Sequence, residues 1–117
     1  MKVHTFTFLI FLVFSNINLH SQESLEKGNN AYERENYAEA IEYFTAYLEE
    51  FPDTSDVHLM RGNSYFKIKE YEKAIEDYTQ LIELKGNKKN YYLNRAKHYL
   101  KLKNYGFGIN IGYKIML

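Results

Sequence analysis

Shifted by 34 residues, the sequence falls onto itself. Ser21, Leu25, Gly28, Asn29, Tyr37, Ala40, Ile41, Glu42, Thr45 and Glu49 meet identical residues at Ser55, Leu59, Gly62, Asn63, Tyr71, Ala74, Ile75, Glu76, Thr79 and Glu83. Background composition gives roughly two identities over such a span, so the chain is a tandem repeat. A repeat of this period folds by stacking one supersecondary unit on the next. A second shift recovers Leu93, Arg95, Tyr99, Lys101, Lys103, Tyr105 and Ile109. The units fall at 21–54, 55–88 and 89–117, the third degenerate.

Within each unit the apolar residues recur three and four apart. Tyr37, Ala40, Ile41, Phe44, Tyr47 and Leu48 line one helical face, and Tyr71, Ala74, Ile75, Tyr78, Leu81 and Ile82 line its counterpart. Gly28, Gly62, Ala40 and Ala74 are small where two helices of a hairpin cross closely. Asn36-Tyr37 and Glu70-Tyr71 mark turns, and Pro52, the single proline, ends a second helix because it cannot continue the hydrogen-bond ladder. The third unit is weaker. Gly106, Gly108 and Gly112 each cost about 1 kcal/mol relative to alanine in a helix, so a last packing helix over 105–117 is expected to fray and to leave Tyr91, Tyr99 and Leu102 poorly covered.

In period and pattern each unit resembles the tetratricopeptide repeat: Gly28-Asn29, Tyr37, Ala40-Ile41, Phe44 and Pro52, then Gly62-Asn63, Tyr71, Ala74-Ile75 and Tyr78. The third copy departs from it, with Ala96 for the first glycine, Gly108 for the alanine and Gly112 for the aromatic, and Gly86 stands where the pattern has proline. The resemblance implies an all-α solenoid of antiparallel helix-turn-helix hairpins in a right-handed superhelical stack, occupying residues 22–117. It also implies a concave groove lined by the first helix of each unit. Leu25, Leu59 and Leu93 then form one row, followed by Asn29, Asn63 and Lys97, by Tyr32, Phe66 and Leu100, and by Glu33, Lys67 and Lys101. Asparagine both donates to and accepts from a peptide backbone, and the apolar and aromatic rows offer anchors. The partner implied is an extended peptide or a protein segment. Some members of the family clamp a chaperone's terminal carboxylate with cations and asparagines. Here Leu25, Met60, Asn90 and Asn94 stand at four of those positions and only Asn29 fits, so charge-assisted contacts are missing and a clamp is not expected.

The remaining chemistry is exclusionary. With no cysteine the chain has no disulfide, thiolate nucleophile or cysteine zinc site. Gly106 to Gly112 superficially look like a phosphate loop, but the spacing is wrong and no strand precedes them. His58 and His98 have no partners at metal-ligand spacing, so ordinary packing roles are expected. No catalytic constellation, cofactor or small-molecule substrate is implied. The net charge is zero, which disfavours nucleic acid, yet the charge is unevenly placed. Residues 22–56 hold ten acidic and two basic side chains, and residues 57–117 hold five acidic and twelve basic, among them Lys85, Lys88 and Lys89. That asymmetry favours weak head-to-tail contact between copies.

Residues 1–21 differ from the rest. Lys2 precedes a nine-residue apolar run from Phe6 to Phe14, and Ser15, Asn16 and Asn18 then break it. This reads as a signal peptide cleaved after Ser21, giving a periplasmic or secreted protein, with an uncleaved membrane anchor as the alternative. For the repeats, the second reading is an accessory or truncated piece of a larger repeat protein, suggested by the apolar Ile115-Met116-Leu117 and the want of a polar cap.

Overall fold

Helices and the short turns between them account for all that the computed structural model describes, residues 2–86 and 91–116. There are five: α1 (Lys2–Glu33), α2 (Tyr37–Glu50), α3 (Ser55–Lys67), α4 (Tyr71–Lys85) and α5 (Tyr91–Met116). The second half of α1 forms a hairpin with α2, α3 forms one with α4, α2 packs on α3, and α4 packs on α5. The all-helical solenoid read from the repeat is the fold observed.

The core follows the repeat. Ala31, Ala40, Phe44, Leu48 and Val57 form one buried cluster, with Leu25, Tyr32, Tyr47 and Met60 packed against it. Ala74, Tyr78 and Ala96 form the second, flanked by Leu59, Tyr65, Phe66, Ile75, Tyr92 and Leu93. The glycines act sterically, as expected. A Cβ on Gly28 would sit 2.7 Å from the Phe44 ring, and one on Gly62 would sit 2.8 Å from the Tyr78 ring.

Turns between the helices of a hairpin share a device. Asn36 N–H donates to the Ala31 carbonyl and Glu70 N–H to the Tyr65 carbonyl, five residues back. This closure needs a left-handed residue just after the helix, and the residues that supply it are Glu35 (φ 59°) and Lys69 (φ 65°) rather than glycine. Each carries a cost of roughly 1 kcal/mol or more. In the first turn Asn36 offsets part of it: its side chain accepts from Glu39 N–H and donates to the Glu39 carboxylate at 2.7 Å. The second hairpin ends on Gly86, which takes the left-handed conformation (φ 66°) without that cost.

The third unit is not a hairpin. Instead of turning near Asn104-Tyr105, α5 runs on as one helix to Met116. Lys103 stands where Glu35 and Lys69 turn the chain, so a third turn would again cost left-handed strain. The segment beyond it offers Gly108 and Gly112 where α4 offers Ala74 and Tyr78, and so lacks the ring that closes the other two hairpins. Tyr99, Leu102 and Tyr105 are left exposed on α5. Side-chain packing after Gly106, and with it the expected fraying of that segment, lies outside the described residues, as do Lys88, Lys89 and Asn90.

At the other end α1 extends well beyond the hairpin. Among the described residues, burial begins at Ser21 and Ser24, where the Ser21 hydroxyl donates to the Glu50 carboxylate. Upstream, Leu9, Phe11 and Phe14 are at least 60% exposed. No helix among the described residues is long and apolar enough to cross a membrane.

The glycines make a paired test. Gly62→Ala gains helix propensity of about 1 kcal/mol, but overpacking against Tyr78 costs about 1–3 kcal/mol. Gly106 has open space around it, so Gly106→Ala should gain about 1 kcal/mol of local helix stability. Urea unfolding should show Gly62→Ala less stable than the parent, and amide exchange should show Gly106→Ala better protected in α5.

Candidate functional site

The repeated residues lie on the first helices, α1, α3 and α5. Leu25, Leu59 and Leu93 are half-buried, and so are Tyr32, Phe66 and Leu100; Glu33, Lys67, Lys97 and Lys101 are exposed. Half-buried apolar residues are thus flanked by exposed charge. Neighbouring helices are joined through some of them. The Phe66 ring meets Tyr99 of α5 edge-on at 5.1 Å and Tyr71 of α4 at 5.3 Å, while the Arg95 guanidinium lies 4.3 Å above it. Tyr32 meets Tyr37 edge-on at 5.6 Å. Both aromatics therefore hold the hairpin turns, a part that spacing alone does not reveal.

The asparagine row is split. Asn63 Oδ1 accepts a 2.7 Å hydrogen bond from the Tyr78 hydroxyl. Burial pushes the Tyr78 phenol well above the ordinary tyrosine range, against the opposing pull of Arg95, so the hydroxyl stays protonated and donates. In the first unit Phe44 occupies the position of Tyr78 and has no hydroxyl. Asn29 Oδ1 is correspondingly buried without a hydrogen-bond partner.

A polar cluster lies between α3 and α4. Asp77, only 2% exposed, receives Arg61 Nε at 2.9 Å on one oxygen and Arg61 Nη2 at 2.7 Å on the other. Arg61 also donates to the Thr45 hydroxyl of α2 at 3.1 Å. His58 Nδ1 lies 3.0 Å from Asp77, and its Nε2–H donates to the Pro52 carbonyl at 2.7 Å, since that oxygen can only accept. Burial works against the Arg61 charge, but its hydrogen bonds to Asp77 and that residue's charge outweigh it, and the guanidinium pKa is raised. The cluster has no free nucleophile, and no group of three potential metal ligands occurs among the described residues. What it does is bind α2, the Pro52 loop, α3 and α4 to one another.

A family model described as tetratricopeptide repeat matches residues 25–89, more than half the chain. The chain belongs to the tetratricopeptide repeat family. No curated protein matches it. Tetratricopeptide repeats generally mediate protein–protein interaction and are typically non-catalytic.

Sequence reasoning missed the Asp77 cluster. The signal was present: Asp77 falls three residues after Ala74 and one before Tyr78, on the edge of an apolar helical face where a carboxylate needs a partner. In the first unit the same two positions hold Lys27 and Tyr43, which meet as a cation over a ring at 5.9 Å. His98, by contrast, is exposed beside Tyr99.

The split asparagine row is testable by exchange between repeats. Phe44→Tyr should supply Asn29 with the missing donor and stabilise the fold by about 1 kcal/mol, whereas Tyr78→Phe should orphan Asn63 and cost about 1–2 kcal/mol. Urea midpoints of the two variants should move in opposite directions, and a lower midpoint for Phe44→Tyr would refute the equivalence of the positions.

Proposed function

We propose that this tetratricopeptide protein is an interaction module that holds an extended peptide or a segment of a partner protein along α1, α3 and α5. The observation that supports this most directly is the graded exposure of the rows. Ala40, Phe44, Ala74 and Tyr78 on α2 and α4 are fully buried, while Leu25, Leu59 and Leu93 on the first helices remain half-open beside charged residues, as Ile41 and Ile75 do on the second helices. A surface with apolar anchors and a polar rim is what a protein partner requires. Asn29, Asn63, Tyr32 and Phe66 contribute to its shape, but internal contacts of Asn63 and Phe66 make their truncation a test of folding as well as binding.

Position-specific cross-linking avoids that difficulty. A photoreactive residue placed at Lys67 or Lys97 should capture a partner in the native compartment, and one placed at exposed Glu72 on α4 should not. Capture from Glu72 alone would move the site to the other side of the solenoid.

Export through residues 1–21 is part of the same proposal. Its support is the apolar run and the exposure of Leu9, Phe11 and Phe14. Intact-mass measurement of the native protein should give a chain beginning after Ser21; a chain retaining Met1 in the membrane fraction would indicate an anchor. The accessory reading has support of its own in the uncovered Tyr99, Leu102 and Tyr105, a face that a following helix or a second copy would cover.

A further inference from the structure

Among the described residues, paired and unpaired cations of the repeat domain lie in different regions. Lys27 pairs with Glu23 at 2.7 Å, Arg34 with Glu39 at 3.6 Å, Arg61 with Asp77 at 2.7 Å, Lys73 with Glu70 at 4.0 Å and Lys85 with Asp56 at 2.8 Å. Among the described residues, Lys67, Lys97 and Lys101 have no carboxylate within ion-pair distance, and all three are exposed. Lys69 and Lys103, two residues beyond Lys67 and Lys101, have none either. The unneutralised cations thus gather where the end of α3 meets α5, with the Arg95 guanidinium between them over Phe66.

We infer that this end of the groove receives an acidic segment of the partner, with carboxylate side chains at alternate residues; the inference rests on the groove reading above. Lys97 and Lys101 are four apart on one helix, so their stems emerge about 6 Å from each other. Same-side residues of an extended chain are about 6.7 Å apart, so carboxylates two residues apart can meet both lysines at once. Lys67 stands across the groove on α3. Between Lys97 and Lys101 and the next turn lies an open hollow of about 390 Å³, shaped also by Leu100, Asn104 and Tyr105. The Lys101 ammonium is 5.8 Å from the Tyr105 ring. An apolar residue flanking the acidic pair would rest there. The carboxylates are side chains rather than a chain terminus, because Lys97 and Lys101 stand one and two turns beyond Leu93, along the exposed rim.

The test uses the full chain and two fluorescein-labelled twelve-residue peptides, acetylated and amidated so that no terminal charge contributes. One alternates glutamate with leucine and serine; in the other every glutamate is glutamine. Fluorescence anisotropy at low salt should give at least tenfold tighter binding of the glutamate peptide, with the gap narrowing as salt screens the charges. Lys97→Glu with Lys101→Glu should abolish the gap, and Lys97→Gln with Lys101→Gln should reduce it, providing a milder variant if charge reversal disturbs folding. Lys73→Glu should leave it unchanged. Equal affinity for the two peptides, or a gap that survives both double variants, overturns the inference. Binding of the glutamine peptide alone refutes the acidic partner but leaves the groove standing, while binding of neither peptide removes both. An RNA dodecamer that displaces the glutamate peptide, or charge-dependent self-association that blocks it, would assign the basic face to another occupant and overturn the inference too.

Discussion

Each hairpin depends on one contact, an aromatic ring of the second helix lying on bare backbone of the first. Phe44 lies over Gly28 and Tyr78 over Gly62, at separations that leave no room for a Cβ. That proximity draws the helices together and seals Ala40 and Ala74 from water. Leu25 and Leu59, three residues before the glycines on the same helical face, are therefore held at the edge of the core, half-buried.

Joining one hairpin to the next uses different forces. Besides the apolar contact around Val57, the Arg61–Asp77–His58 cluster reaches from Thr45 on α2 through the Pro52 carbonyl to α4. A buried ionic cluster contributes little net stability, since desolvation offsets most of the attraction. Its strength lies in geometry. Both Asp77 oxygens and both His58 ring nitrogens have partners, so a slip of α3 against α4 would strand several polar atoms at once. The rings bring each pair of helices together, and the polar cluster locks α3 to α4 and ties that hairpin to α2 through Thr45 and the Pro52 carbonyl.

Repetition explains what the sequence made legible. The 34-residue period, the apolar faces and the small crossing residues were each written at least twice, so their signal stood above chance. Features present in one copy were harder to see. Asp77 has Tyr43 as its counterpart, and the hydroxyl of Tyr78 has no equivalent on Phe44. The groove rows were readable as positions, but the engagement of Asn63 by Tyr78 and the stacking of Phe66 under Arg95 depend on helices that approach only in three dimensions. The third unit misled for a related reason. Asn104-Tyr105 has the same local form as Asn36-Tyr37, yet whether the chain turns there depends on what the next helix would bury.

That dependence follows from the left-handed Glu35 and Lys69. A glycine at these positions would let the chain reverse at little conformational cost whatever came next. With a side chain there, reversal becomes conditional: it happens where an incoming Phe44 or Tyr78 offsets the strain, and the helix runs straight where none does. The turn residue thus sets a threshold for helix pairing, and the long α5 is the same architecture seen below it. In such a chain, a few apolar substitutions in one segment could convert a protruding helix into another hairpin, so the number of hairpins is set by side-chain surface as much as by repeat count.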